Sequence, residues 1–219
     1  MRFLVFISLL FLQSQIISAQ TYMNLNMFKK TVNGPEELER INEQYYESNF
    51  SNALISSDES GSVFKLRYNA YYDEIEFEEN GARYYLNKTL NEEIFFRELN
   101  KKFVCLNYNL GRENITGFLV EVYKGNTYTV YKREKIEFFA GNKSDLVKST
   151  GSQQYKRLKD VYFFESNNQI IQIPSSKRKF AEMFPGNEAK ITEFIKENRT
   201  SLSDFMDLRK LFHYINSLG

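Results

Sequence analysis

The chain has 219 residues but only one histidine, one cysteine and no tryptophan. With His213 alone, a Ser-His-Asp unit needs a histidine that the C-terminal helix pattern leaves among exposed positions, and a multi-histidine metal site cannot form. One cysteine, Cys105, forms no intramolecular disulfide, so the fold must rest on its core. Cys105 lies in "KFVCLNY", an alternating apolar run, where a buried and inert thiol is expected. Only three prolines and ten glycines punctuate the chain. No G-x-G-x-x-G, P-loop or G-x-S-x-G pattern stands at a strand-to-helix junction, which removes the usual nucleotide and hydrolase signals. An excess of either charge is also missing, with 29 Lys and Arg against 28 Asp and Glu. That balance argues against a polybasic surface for nucleic acid or anionic lipid.

What is present begins with the N-terminus. Arg2, the apolar run Phe3 to Leu12 and the close Ser18-Ala19-Gln20 follow the plan of a secretory signal peptide, expected to end at about residue 20. The apolar run is too short to span a bilayer, which takes about 20 residues. Loss of residues 1–20 takes away one basic residue, Arg2, and brings the chain to charge balance. A lipid anchor is not expected, because no cysteine follows the cleavage point. The expectation is an exported, periplasmic or extracellular protein, neither a lipoprotein nor an integral membrane protein, and a monomer.

Four stretches follow from the pattern: a signal peptide at 1–20, an N-terminal segment at 21–48, an antiparallel β domain at 49–173 and a helical layer at 174–219. In the second, Pro35 to Tyr46 has proline at a helix start, acids in the first turn, and Leu38, Ile41 and Tyr45 at helical spacing. The third shows short apolar-polar alternations. Phe64, Leu66 and Tyr68 alternate with Lys65, Arg67 and Asn69, and Ile75 and Phe77 with Glu74, Glu76 and Glu78, so each strand is expected to have a wet face. Asn80-Gly81 predicts a type I′ hairpin. Lys102 to Tyr108 is predicted to pair with Gly117 to Tyr123, "KGN" at 124–126 to turn into a strand over Thr127 to Ile136, and Asn167-Asn168 to separate "VYFFE" from "QIIQI". Gly141 to Gln154 reads as a polar loop. After Pro174 the period becomes helical, with a Ser175 or Ser176 cap, a break at Pro185-Gly186, and a last helix carrying Phe205, Leu208, Leu211, Phe212 and Ile215 on one face. The fold class is α+β: an antiparallel sheet, as a sandwich or half-open barrel, with a short N-terminal helix and about three C-terminal helices.

Twenty Phe and 15 Tyr make the chain aromatic-rich, a bias read as composition and not as a ligand box. The densest chemistry is "KLRYNAYYDEIEFEENG", residues 65–81. Arg67, Asn69, Asp73, Glu74 and Glu76 form its candidate structural or interaction cluster. The strand alternation makes Glu74, Glu76 and Glu78 a solvated face with cross-strand cations, and the arrangement lacks the Gly-turned oxygen loop of calcium sites. No catalytic residue, cofactor or metal is expected.

"LRYNAYYDEIEFEENG", with the ending "KRKFAEMFPGNEAKITEFIKEN" and "DLRKLFHYINSL", resembles a group of uncharacterised exported proteins from Bacteroidota. The resemblance spans about Phe50 to Leu218 and implies export and an envelope setting, with no reaction, cofactor or ligand. The leading expectation is a non-catalytic binding or interaction protein with an unknown protein or glycan partner. The alternatives are a carrier with an apolar pocket in the curled sheet, and a hydrolase using carboxylates of Asp73 to Glu79.

Overall fold

A computed structural model describes residues 28–30, 41–139 and 154–218. The expected signal peptide, the Pro35 to Arg40 part of the expected N-terminal helix and nearly all of the Gly141 to Gln154 loop lie outside them. The described part of Pro35 to Tyr46 is a single 3-10 turn, Ile41–Gln44, followed by a lone bridge from Tyr45 to Asn69.

The strands are β1 (Phe28–Lys30), β2 (Ser51–Ile55), β3 (Phe64–Asn69), β4 (Glu74–Glu79), β5 (Ala82–Leu86), β6 (Glu93–Phe96), β7 (Lys101–Leu110), β8 (Glu113–Lys124), β9 (Thr129–Arg133), β10 (Ile136–Phe139), β11 (Gln154–Arg157), β12 (Val161–Ser166) and β13 (Gln169–Gln172). Among the described residues, eleven form one antiparallel sheet in the order β1-β5-β4-β3-β2-β6-β7-β8-β9-β12-β13, and β10 and β11 form a separate ribbon. Turn chemistry explains the reversals. Asn80 and Gly81 both take positive φ (52° and 73°), as do Asn167 and Asn168 (51° and 61°), the conformation that a two-residue type I′ turn demands.

The sheet is curled into a half-open barrel, and β7 and β8 are covered on both faces. Phe103, Cys105, Phe118 and Val120 join a core under β2 to β6, whereas Val104, Leu106, Tyr108 and Leu119 join another with Tyr131 and Phe163. Runs of four consecutive buried residues in both strands follow from this double cover.

The helices are α1 (Lys177–Ala181), α2 (Glu188–Glu197) and α3 (Phe205–Asn216). Ser176 Oγ caps α1 by accepting from Lys179 N, and Asp204 Oδ1 caps α3 by accepting from Asp207 N. Phe180, Phe184, Ile191, Ile195, Leu208, Leu211, Phe212 and Ile215 pack onto Val130, Tyr162 and Phe164 of the sheet. Asn216 then clamps α3 to the β8–β9 turn: its Oδ1 accepts from Thr127 N (2.8 Å) and Tyr128 N (3.0 Å). A Cβ on Gly125 would meet the Asn216 amide at 2.4 Å, so only glycine admits this clamp. No helix among the described residues is long and apolar enough to cross a membrane.

Candidate functional site

The expected wet face of β3 and β4 is not wet, and this corrects the reading of Glu74, Glu76 and Glu78 as one solvated row. Arg67, Asn69 and Glu76 retain 5%, 1% and 2% of their exposure, Glu74 is also buried, and Glu78 alone of the three glutamates is exposed. The cause is the segment from Gln44 to Phe50, which crosses this face. Arg67 and Glu76 are register partners. The Arg67 Nε donates to Glu76 Oε2 at 2.8 Å and its Nη1 to Ser48 O at 3.0 Å. Tyr45 and Phe50 place their rings against the guanidinium, with centroids at 4.0 and 4.4 Å. Glu76 Oε2 also accepts from Tyr45 Oη (2.7 Å), and Oε1 accepts from Asn69 Nδ2 (2.9 Å). A buried carboxylate and guanidinium are tolerable only with such dense partnering.

Asn69 joins this network to the turn. While its Nδ2 serves Glu76 and Gln44 Oε1, its Oδ1 accepts from Tyr71 N (3.1 Å) and Tyr72 N (3.0 Å). This is an Asx-type closure of the Ala70 to Asp73 reversal. Asp73 takes φ of 58°. Its Oδ1 accepts from Tyr68 Oη (2.8 Å) and Phe118 N (3.1 Å), and its Oδ2 pairs with Lys88 Nζ (3.1 Å). Gly117 makes room for it, since a Cβ there would lie 2.2 Å from Asp73 Oδ2. Asn69 and Asp73 thus hold the turn, while Arg67 anchors the neighbouring strands.

The turn presents Tyr71 and Tyr72, and a ribbon meets it. After β9, Glu134 is buried and receives Lys101 Nζ (3.1 Å) and Lys132 Nζ (2.9 Å). The chain then leaves the sheet, and Ile136 N donates to Ala70 O (3.2 Å). The sequence expectation of one strand over Thr127 to Ile136 is therefore corrected to two, split at this buried glutamate. Phe138 on β10 and Tyr155 on β11 are cross-strand partners. The ring centroids run Tyr72 to Tyr71 at 4.7 Å, Tyr71 to Tyr155 at 5.0 Å and Tyr155 to Phe138 at 5.1 Å. Gln44 Nε2 donates to Tyr155 Oη (3.0 Å), and Lys135 Nζ donates to Tyr71 O. Phe139, the next residue, points to the other face of the ribbon, where Lys156 Nζ sits 5.3 Å from its ring centroid. Tyr72, Phe138 and Phe139 are 37%, 38% and 41% exposed.

This aromatic row is the functional candidate that the sequence reading missed. Its legible signal was "KIEFF", whose two adjacent phenylalanines break a half-buried alternation. The cluster at 67–76 lies beneath and beside the row as its support. Among the described residues, no group of three or more His, Cys, Asp or Glu side chains is placed to hold a metal ion. Inside the curled sheet, the pocket bordered by Tyr46, Arg67, Phe96 and Phe103 amounts to about 10 Å³.

Burial sets the titration behaviour of the neighbouring phenols. It raises Tyr45, Tyr68 and Tyr131 well above the usual range, with the carboxylates of Glu76, Asp73 and Glu165 respectively pushing the same way. Tyr108 rises to about 12 and the Cys105 thiol to about 11, both chiefly through burial. For each, the folded state holds its proton more tightly than the unfolded chain, so the associated stability is intact below the unfolded value. It is lost as pH rises through the folded one. Stability should therefore hold through neutral pH and fall steeply from about pH 9 to about 12. In an alkaline titration, the phenolate absorbance of Tyr45, Tyr68, Tyr108 and Tyr131 should appear only together with loss of the sheet circular-dichroism signal. Phenolate absorbance accounting for all 15 tyrosines near pH 10 with the fold retained would contradict the burial of these groups.

Comparison with protein-family models, curated proteins and solved structures finds no match to this chain.

Proposed function

We propose that this chain is an exported, non-catalytic binding protein that grips a protein partner through the row Tyr72, Tyr71, Tyr155 and Phe138, with Phe139 on the reverse of the ribbon. The observation that carries this reading is a continuous row of rings whose two ends, Tyr72 and Phe138, are each more than one-third exposed, with the equally exposed Phe139 on the other face of the same ribbon. Exposed contiguous apolar surface marks interaction sites, and aromatic side chains dominate the energetics of protein interfaces.

The partner's chemistry follows from the ribbon. Phe138 and Phe139 occupy opposite faces, so a complementary surface has to close around two sides, as a protein cleft does. Lys135, Lys156 and Arg157 border the rings among the described residues, with Glu137 and Asp73 as the acids near Lys135. The fitting cleft is apolar at its floor and acidic at its lip. Export rests on the pattern of residues 1–20 and on the resemblance to exported Bacteroidota proteins. A carrier requires an enclosed apolar cavity of several hundred Å³, far above the 10 Å³ beneath the sheet. A carboxylate hydrolase requires two open acids facing a common cleft, whereas Glu76 and Asp73 accept hydrogen bonds through both oxygens, Glu74 is buried, and the exposed Glu78 lies on the strand away from them.

A photoreactive phenylalanine analogue at position 139, with a control at exposed His213, tests the reading in the living cell. A discrete protein adduct is expected from position 139 and none from 213. With that partner purified, the triple substitution Tyr72→Ala, Phe138→Ala and Phe139→Ala should weaken binding at least about a hundredfold and leave the melting temperature unchanged. Equal adducts from both positions, or no adduct, would overturn the proposal.

A further inference from the structure

We infer that the groove between β7 and β13 binds a neutral, hydroxyl-rich ligand, a short oligosaccharide, at a site separate from the aromatic row. The groove encloses about 570 Å³, within the range of about 300–1,000 Å³ typical of small-ligand sites. Six residues with amide side chains border it, Asn107, Asn109 and Asn114 from the long β7–β8 hairpin and Asn168, Gln169 and Gln172 from the β12–β13 hairpin, together with Tyr108 and Ile170. None of the described residues that border it is charged, although 26% of the chain is.

The topology adds backbone groups to these amides. On its β6 side β7 is hydrogen-bonded only as far as Cys105 among the described residues, so its far end has an open edge, and β13 is the last strand of the sheet. The two edges face one another with Cα atoms within 8 Å. What faces the groove is a set of neutral donors and acceptors at fixed positions.

Two hydrogen bonds set the amide planes in advance. Thr116 Oγ1 donates to Asn107 Oδ1 (2.6 Å), and Asn114 Nδ2 donates to Asn109 Oδ1 (3.1 Å). The Nδ2 groups of Asn107 and Asn109 and the Oδ1 of Asn114 have no further hydrogen bond among the described residues. An amide offers a donor and an acceptor side by side, and a sugar hydroxyl also does both. Phosphate or carboxylate ligands call for arginine or lysine, which the groove lacks.

The test is an NMR titration of the mature ¹⁵N-labelled chain with neutral trisaccharides built from glucose, galactose, mannose or N-acetylglucosamine. A sulfated disaccharide and tetra-alanine serve as comparisons. At least one neutral sugar should shift the side-chain amide signals of Asn107, Asn109, Gln169 and Gln172. Asn107→Ala with Asn109→Ala, and separately Gln169→Ala with Gln172→Ala, should each weaken that binding about tenfold, and both pairs are exposed positions that the fold tolerates. Substitution of Tyr72, Phe138 and Phe139 should leave it unchanged, which separates this site from the protein-binding surface. The inference is overturned if no neutral sugar shifts these signals, if only the sulfated sugar or the peptide does, or if binding survives both pairs of substitutions.

Discussion

Glu76→Ala is expected to cost about 3–5 kcal/mol of unfolding free energy, the largest loss from any single carboxylate in the described part of the chain. Removal of the side chain strands three groups at once. The Arg67 guanidinium, 5% exposed, loses its counter-ion, and Tyr45 Oη and Asn69 Nδ2 lose an acceptor. A buried charge without a partner is far more costly than a lost surface ion pair, which contributes about 0–1 kcal/mol. Glu76→Gln should fall between the two, because the amide oxygen still accepts while the charge is gone. Replacing the pair together, Arg67→Met with Glu76→Leu, should recover part of the loss, since no ion is then left unpaired. Tyr45 Oη still lacks its acceptor in that variant and Asn69 Nδ2 keeps Gln44 Oε1 but not Glu76, so recovery is incomplete. Urea unfolding measures all three, and a loss below about 1 kcal/mol for Glu76→Ala would mean that the face is solvated after all.

Phe212→Ala should cost a similar amount, about 3–5 kcal/mol, for an apolar reason. Phe212 is fully buried, and its ring lies within contact range of Phe164 (5.5 Å), Phe180 (5.8 Å), Phe184 (6.2 Å) and Tyr128 (6.4 Å). Those neighbours come from the sheet, from α1 and the turn after it, and from the β8–β9 reversal, so the cavity opens at the junction of sheet and helices. A single cooperative thermal transition should move down as a whole. If the helices formed an independent bundle, Phe212→Ala would instead melt them alone and leave the sheet transition where it was.

The hairpins were the most legible part of the fold, because an Asn-Gly or Asn-Asn pair states its own backbone conformation. So was the amphipathic face of α3, where five apolar residues at helical spacing leave one direction for burial. Alternation in "FKLRYN" and "EIEFEE" told which side chains share a face of β3 and β4. It did not tell what covers that face. The cover is Gln44 to Phe50, some twenty to thirty residues away, and contact at that separation leaves no periodic mark. The same holds for the ribbon. A break in a strand at Glu134 depends on Lys101 and Lys132 meeting that carboxylate, and Lys101 lies on another strand, so the run to Ile136 read as continuous. Of the cluster at 67–76, its composition was visible and its depth was not. Tyr71, Tyr72, Phe138 and Tyr155 are spread over 85 positions of sequence and become neighbours only when the ribbon docks on the turn.

Buried charge therefore serves here to hold a surface of rings, and hydrogen exchange tests that claim most directly. Backbone amides of the full chain would be followed alone and with the partner captured at position 139. The account predicts that binding slows exchange at Tyr71 to Asp73, Ile136 to Phe139 and Gln154 to Arg157, and leaves α2 and α3 unchanged. Protection confined to the helices, with the turn and ribbon exchanging as before, would contradict it.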